Sequence, residues 1–225
     1  MAYLSPAGIA AIIAAPSSMA SYYINNWHSF ATDLGGADTN YTLDSPLLAS
    51  AFASAYAWGL KPYGPEPTTG VDLTTLLNAP SLACDDYVRL ALYFMQLIPQ
   101  TSAVNVAAVG WNGGAVGNHS QLFVSDSSGE TVLLDPTIGL VWRDATYNQV
   151  TSGTPLPASK MHSFYAEYGG SQSIAAFSAT VIAALTNGSY KPSDALYYCA
   201  SLDFFNAMPP EAGWPTPAAA QFQPS

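Results

Sequence analysis

The stretch that decides the predicted fold is residues 81–98, SLACDDYVRLALYFMQLI. Ser81 is a residue type that can open a helix, and Pro99 would end it. Apolar residues recur in this stretch at three- and four-residue spacing, namely Tyr87, Leu90, Ala91, Phe94, Leu97 and Ile98. One whole face of the helix is therefore apolar, which predicts a helix buried in the core.

Cys84 lies in the first turn of this predicted helix. Unpaired backbone N–H groups and the helix dipole stabilise negative charge at a helix start. Because the thiolate is the nucleophilic form of cysteine, this is a favourable place for a catalytic cysteine. Asp85 and Asp86 would oppose the thiolate near the sulfur, unless they face solvent or bond the free amides of the helix start. For a single cysteine, the plainer interpretation is a small buried residue.

After Pro99 the pattern changes from helical spacing to short runs typical of β-strands. The runs are residues 103–111, rich in Val, followed by 119–125, 130–135 and 140–142. Residues 126–129, DSSG, lie between the second and third runs and indicate a β-hairpin. We therefore expect a small antiparallel sheet beside the Cys84 helix.

The register of this hairpin places two candidate residues together. A three-residue loop at 126–128 would pair Ser125 with Gly129 and, further along, His119 with Asp135. Directly opposed residues share one face of a sheet, with Cβ atoms roughly 4.5–5.5 Å apart. A carboxylate at that distance can accept the imidazole N–H and leave the other ring nitrogen to take a proton from a thiol. The sequence thus predicts a catalytic triad of Cys84, His119 and Asp135.

Three segments of the chain resemble the transglutaminase-like superfamily, which belongs to the broader papain-like fold. They are residues 83–87 (ACDDY), 117–124 (GNHSQLFV) and 134–137 (LDPT). That family places Cys at the start of a core helix, His on a following strand and Asp at the end of the next strand. The gaps of 35 residues from Cys84 to His119 and 16 from His119 to Asp135 fit its usual spacing. Ala83 replaces the Gly that often precedes the Cys.

The resemblance implies a role for each residue of the triad. Cys84 would attack an amide or ester carbonyl to form a thioester, His119 would act as base and then as acid, and Asp135 would orient the ring. The backbone N–H of Cys84 is one expected donor to the oxyanion. The side-chain candidates are Asn78 and Trp58, although a helix C-cap and a core aromatic are the ordinary interpretations of these two residues.

These roles predict a cysteine-dependent hydrolase of peptide or amide bonds, with a peptide or protein as substrate. An amine-accepting acyltransferase is the alternative within the enzyme class, because exclusion of water decides between the two. A third hypothesis is a structural or assembly protein, such as a virion component, that carries a transglutaminase-like domain. A disulfide between Cys84 and Cys199 would remove the nucleophile. His28 and His162 are interpreted as structural.

The regions on either side of the motif stretch are predicted to be largely helical. Helices are expected to start at Ser5-Pro6, at Ser17/Ser18 and at Asp44-Ser45-Pro46, and later to span residues 159–168, 173–186 and 193–206. The third is expected to stop before Gly59. The predicted fold is a single α+β domain over residues 1–207, with a papain/transglutaminase-like core at about 80–142 and helical additions at both ends. Residues 208–225 form a Pro-rich tail that could bind a protein partner.

The composition argues against several classes of function. Five Lys and Arg stand against fifteen Asp and Glu, for a net charge of -10. Five scattered cations cannot replace the counterions on nucleic-acid phosphates or dock on an anionic membrane. No apolar run is long enough to span a bilayer, and the apolar residues 8–15 have no basic region before them, so we expect no signal peptide. The compartment stays open: cytoplasmic, virion-borne or exported by another route. No zinc spacing is present, so we expect no metal or cofactor.

Overall fold

The computed structural model describes residues 4–35, 41–64, 73–111, 119–164, 172–189 and 192–199. Within these residues the chain is an α+β protein with an antiparallel sheet. The helices are α1 (Pro6–Ala14), α2 (Met19–Gly35), α3 (Pro46–Leu60), α4 (Leu73–Asn78), α5 (Cys84–Gln96), α6 (Tyr147–Ser152) and α7 (Gln172–Asn187). The strands are β1 (Asn105–Trp111), β2 (His119–Ser125), β3 (Thr131–Asp135), β4 (Leu140–Arg143), β5 (Met161–Ser163) and β6 (Pro192–Cys199).

The sheet lies between two layers of helices. Its strand order is β5-β4-β3-β2-β1-β6, and neighbouring strands pair antiparallel. Because side chains alternate along a strand, β2 sends Leu122 and Val124 to one core, where α2, α3 and α5 pack. Phe123 faces the opposite core, which contains Val181 of α7. Both faces are covered, so the strands read as almost continuous apolar runs.

The predicted helix starts at Ser5 and Ser45 are confirmed. The Ser5 hydroxyl accepts from the Gly8 N–H at 3.1 Å and the Ser45 hydroxyl from the Leu48 N–H at 3.5 Å, each with Pro at the first helical position. The predicted end of α3 before Gly59 is wrong, because the helix continues to Leu60. The predicted start of α5 at Ser81 is also wrong, because Leu82 forms a parallel bridge with Tyr63 that keeps this segment out of the helix.

No single described helix is long and apolar enough to cross a membrane. The segments Pro6–Ala14 and Pro16–Gly35 meet that requirement of length and composition only when taken together, and they are bent by 114° where they meet.

The β2–β3 hairpin has a three-residue loop, but at 127–129 instead of 126–128. The backbone N–H of Asp126 donates to the Glu130 carbonyl at 3.0 Å and closes the loop, and Ser125 pairs with Thr131. Gly129 has a φ of 84° and takes the left-handed last position that such loops require. The predicted direct opposition of residues 119 and 135 is therefore wrong by two residues. A shift of two keeps every side chain on its predicted face.

Two of the three helices predicted after the core are wrong in the structure. Residues 158–160 form a 3-10 turn that leads into β5, and β6 occupies residues 192–199. These strands pair with β4 and β1, the edges that the central hairpins would otherwise leave open. The helix predicted at 173–186 is confirmed as α7. Parts of these predictions lie outside the described residues, namely 165–168 of the first helix, 200–206 of the last helix, and the Pro-rich tail.

We expect Phe52→Ala to lower the free energy of unfolding by about 3–5 kcal/mol, because the substitution empties a filled aromatic cluster. Phe52 is fully buried, and its ring centroid lies 5.0 Å from that of Phe30 and 5.2 Å from that of Tyr23. Urea denaturation measures the change. Ile24→Ala on α2, where the side chain is 48% exposed, is the matched control and should cost about 0.5 kcal/mol or less. Equal losses in the two variants would contradict the packing described for Phe52.

Candidate active site

Cys84 is the first residue of α5 and is half-buried. Its Sγ lies 4.0 Å from the Ser120 Oγ on β2. Cys84 is a free cysteine. Cys199 pairs through its backbone with Val106, near the first residue of β1. His119 pairs with Trp111, at the opposite end of the same strand. The alternative disulfide between Cys84 and Cys199 is therefore wrong.

His119 and Asp135 form a buried contact on one face of the sheet. The His119 Nε2 lies 2.6 Å from the Asp135 Oδ2, and neither side chain is exposed to solvent. When the observed pairing is continued, Asp135 stands opposite Gln121, so His119 reaches it diagonally. The contact is present although the predicted register is wrong, because diagonal neighbours on a face remain within reach of long side chains.

Two further donors hold the Asp135 carboxylate in place. The Gln121 Nε2 donates to Oδ2 at 2.8 Å, and the backbone N–H of Thr137 donates to Oδ1 at 3.1 Å. A buried carboxylate needs such partners to offset the loss of water. Gln121 was missed as a site residue, although it lies two positions after His119 and must share its face.

The pKa of His119 is raised to about 9. Burial by itself acts to lower it, but the charge and hydrogen bond of Asp135, and then the hydrogen bond and charge of Cys84, outweigh burial. Since Nε2 is engaged by Asp135, Nδ1 is the nitrogen that can serve Cys84. At neutral pH the ring is therefore an imidazolium that lies between a carboxylate and a sulfur.

The two acidic residues beside Cys84 form ion pairs with one buried arginine. The Arg89 Nη1 lies 2.8 Å from the Asp85 Oδ2 and 3.2 Å from the Asp86 Oδ1. Asp86 also accepts the backbone N–H of Ala83 at 3.0 Å, so it binds a free amide of the helix start. Their negative charge is thus partly offset by Arg89. This resolves the question that the sequence left open about these carboxylates.

Phe177 of α7 covers the His119 ring in an edge-to-face contact, with ring centroids 4.9 Å apart. Phe177 in turn stacks on Tyr63, at a centroid distance of 6.1 Å. Residues beyond the motif stretch therefore form part of the site. Neither residue could be assigned to the site from the sequence, since nothing in the local pattern of α7 indicates which core it will reach.

The structure places the two candidate oxyanion donors differently. Asn78 ends α4 and is exposed. Trp58 is half-buried near the end of α3 and packs on Gly139 and Phe164. The Ser120 Oγ, by contrast, lies 4.0 Å from the sulfur. The oxyanion role of Asn78 and Trp58 stays a prediction.

Among the described residues, no group of three or more His, Cys, Asp or Glu is arranged to hold a metal ion. Comparison of the chain with protein-family models, with curated proteins and with solved structures finds no match.

We expect Arg89→Met to destabilise the protein by about 3 kcal/mol, because it leaves two carboxylates near the start of α5 without their cation. Urea denaturation at neutral pH measures the loss. A variant that also carries Asp85→Asn and Asp86→Asn should recover part of it, since the amides keep hydrogen-bonding capacity without charge. If Arg89→Met were as stable as the wild type, the ion pairs of Arg89 with Asp85 and Asp86 would not contribute to stability, which would contradict this prediction.

The raised pKa of His119 predicts a pH-dependent stability. The folded pKa of about 9 lies above the ordinary value of 6.5, so the folded state holds the proton more tightly than the unfolded chain. The resulting stabilisation is fully present below pH 6.5 and is lost as the pH rises through 9. Denaturation curves between pH 6 and 10 should show a steeper decline for the wild type than for His119→Gln. Parallel declines would refute the raised pKa.

Proposed function

We propose that this chain is a cysteine-dependent hydrolase of peptide or amide bonds with a transglutaminase-like, papain-like core. One geometric observation carries the proposal: the buried His119 binds the Asp135 carboxylate at 2.6 Å and is the strand neighbour of Ser120, whose Oγ lies 4.0 Å from the Cys84 Sγ. The pKa of His119 is raised to about 9 by Asp135 and then by Cys84, against the effect of burial. A structural histidine needs no such pair of partners. Perturbed titratable groups arranged in this way are typical of active sites.

The arrangement of elements supports the proposed core. The nucleophile begins a helix that packs against β2, while the histidine begins β2 and the carboxylate ends β3. This is the order of residues for which the chain resembles the transglutaminase-like superfamily. The helices before Cys84 and the segment after β4 are additions to that core.

In the first half of the proposed reaction, the Cys84 thiolate attacks the carbonyl carbon of the amide. The electrons of the C=O bond move to oxygen, and the backbone N–H of Cys84 stabilises this oxyanion. The oxyanion collapses to a thioester as the C–N bond breaks. The His119 imidazolium gives its proton to the departing nitrogen, so a neutral amine leaves.

In the second half, neutral His119 removes a proton from water as the water oxygen attacks the thioester. The second tetrahedral intermediate expels the Cys84 thiolate and releases a carboxylic acid. His119 is again an imidazolium, and enzyme and ion pair are regenerated. Asp135 keeps the ring oriented in both halves and stabilises its charge, and Gln121 and the Thr137 N–H hold Asp135.

We expect Cys84 to react with iodoacetamide at pH 6 at least tenfold faster than N-acetylcysteine does. The basis is the imidazolium beside the sulfur. Mass spectrometry of the intact and digested protein gives the labelling rate and the site. His119→Ala should slow labelling at least tenfold, whereas His28→Ala, a matched change of an exposed histidine on α2, should not alter it.

The same variants test catalysis. Turnover of peptide p-nitroanilides should be lost in Cys84→Ser and reduced about 10²–10⁴-fold in His119→Ala. Incorporation of a fluorescent primary amine in place of hydrolysis would indicate the acyltransferase. Absence of labelling at pH 6, or labelling that is indifferent to His119→Ala, would refute the proposal and leave an assembly role as the alternative.

A further inference from the structure

A cavity of about 560 Å³ lies beside the proposed active site. Its walls come from α1, from the end of α3 with the following residues 61–63, from Tyr87 of α5, and from Thr137 and Ile174. This volume is in the range of about 300–1,000 Å³ that small-molecule sites occupy. Most of the lining side chains are apolar, and Ile9, Ala10 and Ile13 of α1 contribute one wall.

Three contacts connect this cavity to the triad. Tyr87 lies on the same helix as Cys84, one turn later. The backbone N–H of Thr137 donates to Asp135. Tyr63 stacks on Phe177, which covers the His119 ring. Each residue of the triad thus has a close neighbour in the cavity wall or one contact away from it.

We propose that this cavity binds the acyl portion of the substrate, with an aromatic or branched aliphatic side chain in the apolar space. The acyl portion is the part to hold, because it stays attached to Cys84 through both halves of the reaction, whereas the amine departs after the first. This inference rests on the function proposed above and names its substrate class. Lys61 is the one Lys, Arg, Asp or Glu among the described lining residues, so a cationic side chain would be disfavoured there.

The residues that build the cavity lie mostly outside the stretch that resembles a known family. Residues 4–13 and 58–63 precede it, and Ile174 follows it. The reactive groups come from the core, and selectivity comes from the additions. This division is common where loops or extra elements surround a catalytic scaffold.

The test compares two thiol reagents, iodoacetamide and N-benzyl-iodoacetamide, on Cys84. For each protein, the labelling rate with the benzyl reagent is divided by the rate with iodoacetamide. This ratio is then divided by the same ratio for N-acetylcysteine, which removes the difference in intrinsic reactivity between the reagents. The result is the preference of the protein for the benzyl reagent. We expect a preference of at least tenfold for the benzyl reagent in the wild type. Ala10→Trp, which fills the cavity, should return the preference to about one.

Ala11→Trp is the matched control, because Ala11 is the next residue of α1, is exposed, and is not a lining residue. It should keep the wild-type preference. Circular dichroism checks that each variant folds, and Ile13→Phe replaces Ala10→Trp if that variant does not. A preference near one in the wild type, or equal preferences in Ala10→Trp and Ala11→Trp, would overturn the assignment of the cavity.

A second readout separates this proposal from the proposed function. Binding of unreactive N-benzylacetamide is followed by saturation-transfer NMR in the wild type, Ala10→Trp and Ala11→Trp. Binding that only Ala10→Trp abolishes supports the cavity even if Cys84 proves inert to both reagents, an outcome that refutes the hydrolase alone. Binding by all three proteins, or by none of them, refutes the proposed binding role of the cavity, whatever the reactivity of Cys84.

Discussion

The alternation of side chains along a strand is the constraint on which the rest of this structure depends. In β2, even-numbered residues face α5 and odd-numbered residues face α7. Ser120 therefore approaches Cys84 from the side of α5, whereas His119 shares its face with Phe177 and Asp135. The candidate site forms at the first residues of β2. There the start of α5, on one side of the sheet, meets the buried ion pair of His119 and Asp135 on the other.

Burial gives this ion pair its strength. In water an imidazolium and a carboxylate attract each other weakly, but at 2.6 Å in a site closed to solvent their attraction exceeds the cost that burial imposes on the charged ring. Gln121 and the Thr137 amide complete the shell of the carboxylate. Arg89 on the same helix pairs with both Asp85 and Asp86 and offsets part of their negative charge beside Cys84.

The parts of the fold that the sequence predicted share a physical cause. The starts of α1 and α3 depend on Ser-Pro pairs, whose capping is local. The face on which a side chain of β2 or β3 lies depends on whether its residue number is odd or even. An error of two residues in the pairing register leaves that face unchanged. That is why the contact between His119 and Asp135 could be predicted although the loop was placed one residue too early. The loop itself was decided by Gly129, since its left-handed backbone belongs in the turn.

By itself, the sequence determined that Cys84 lies in the first turn of a buried helix and that His119 and Asp135 share a face. Local capping and side-chain periodicity are sufficient for both. Only the tertiary structure decided that residues 161–163 and 192–199 are strands, because pairing with the open edges of a sheet overrides local preference. It alone decided that Arg89 pairs with two carboxylates, that Phe177 covers His119, and that α1 lines a cavity together with Tyr87 and Thr137. These contacts join residues distant in the chain or depend on side-chain conformation, and neither is encoded in local spacing.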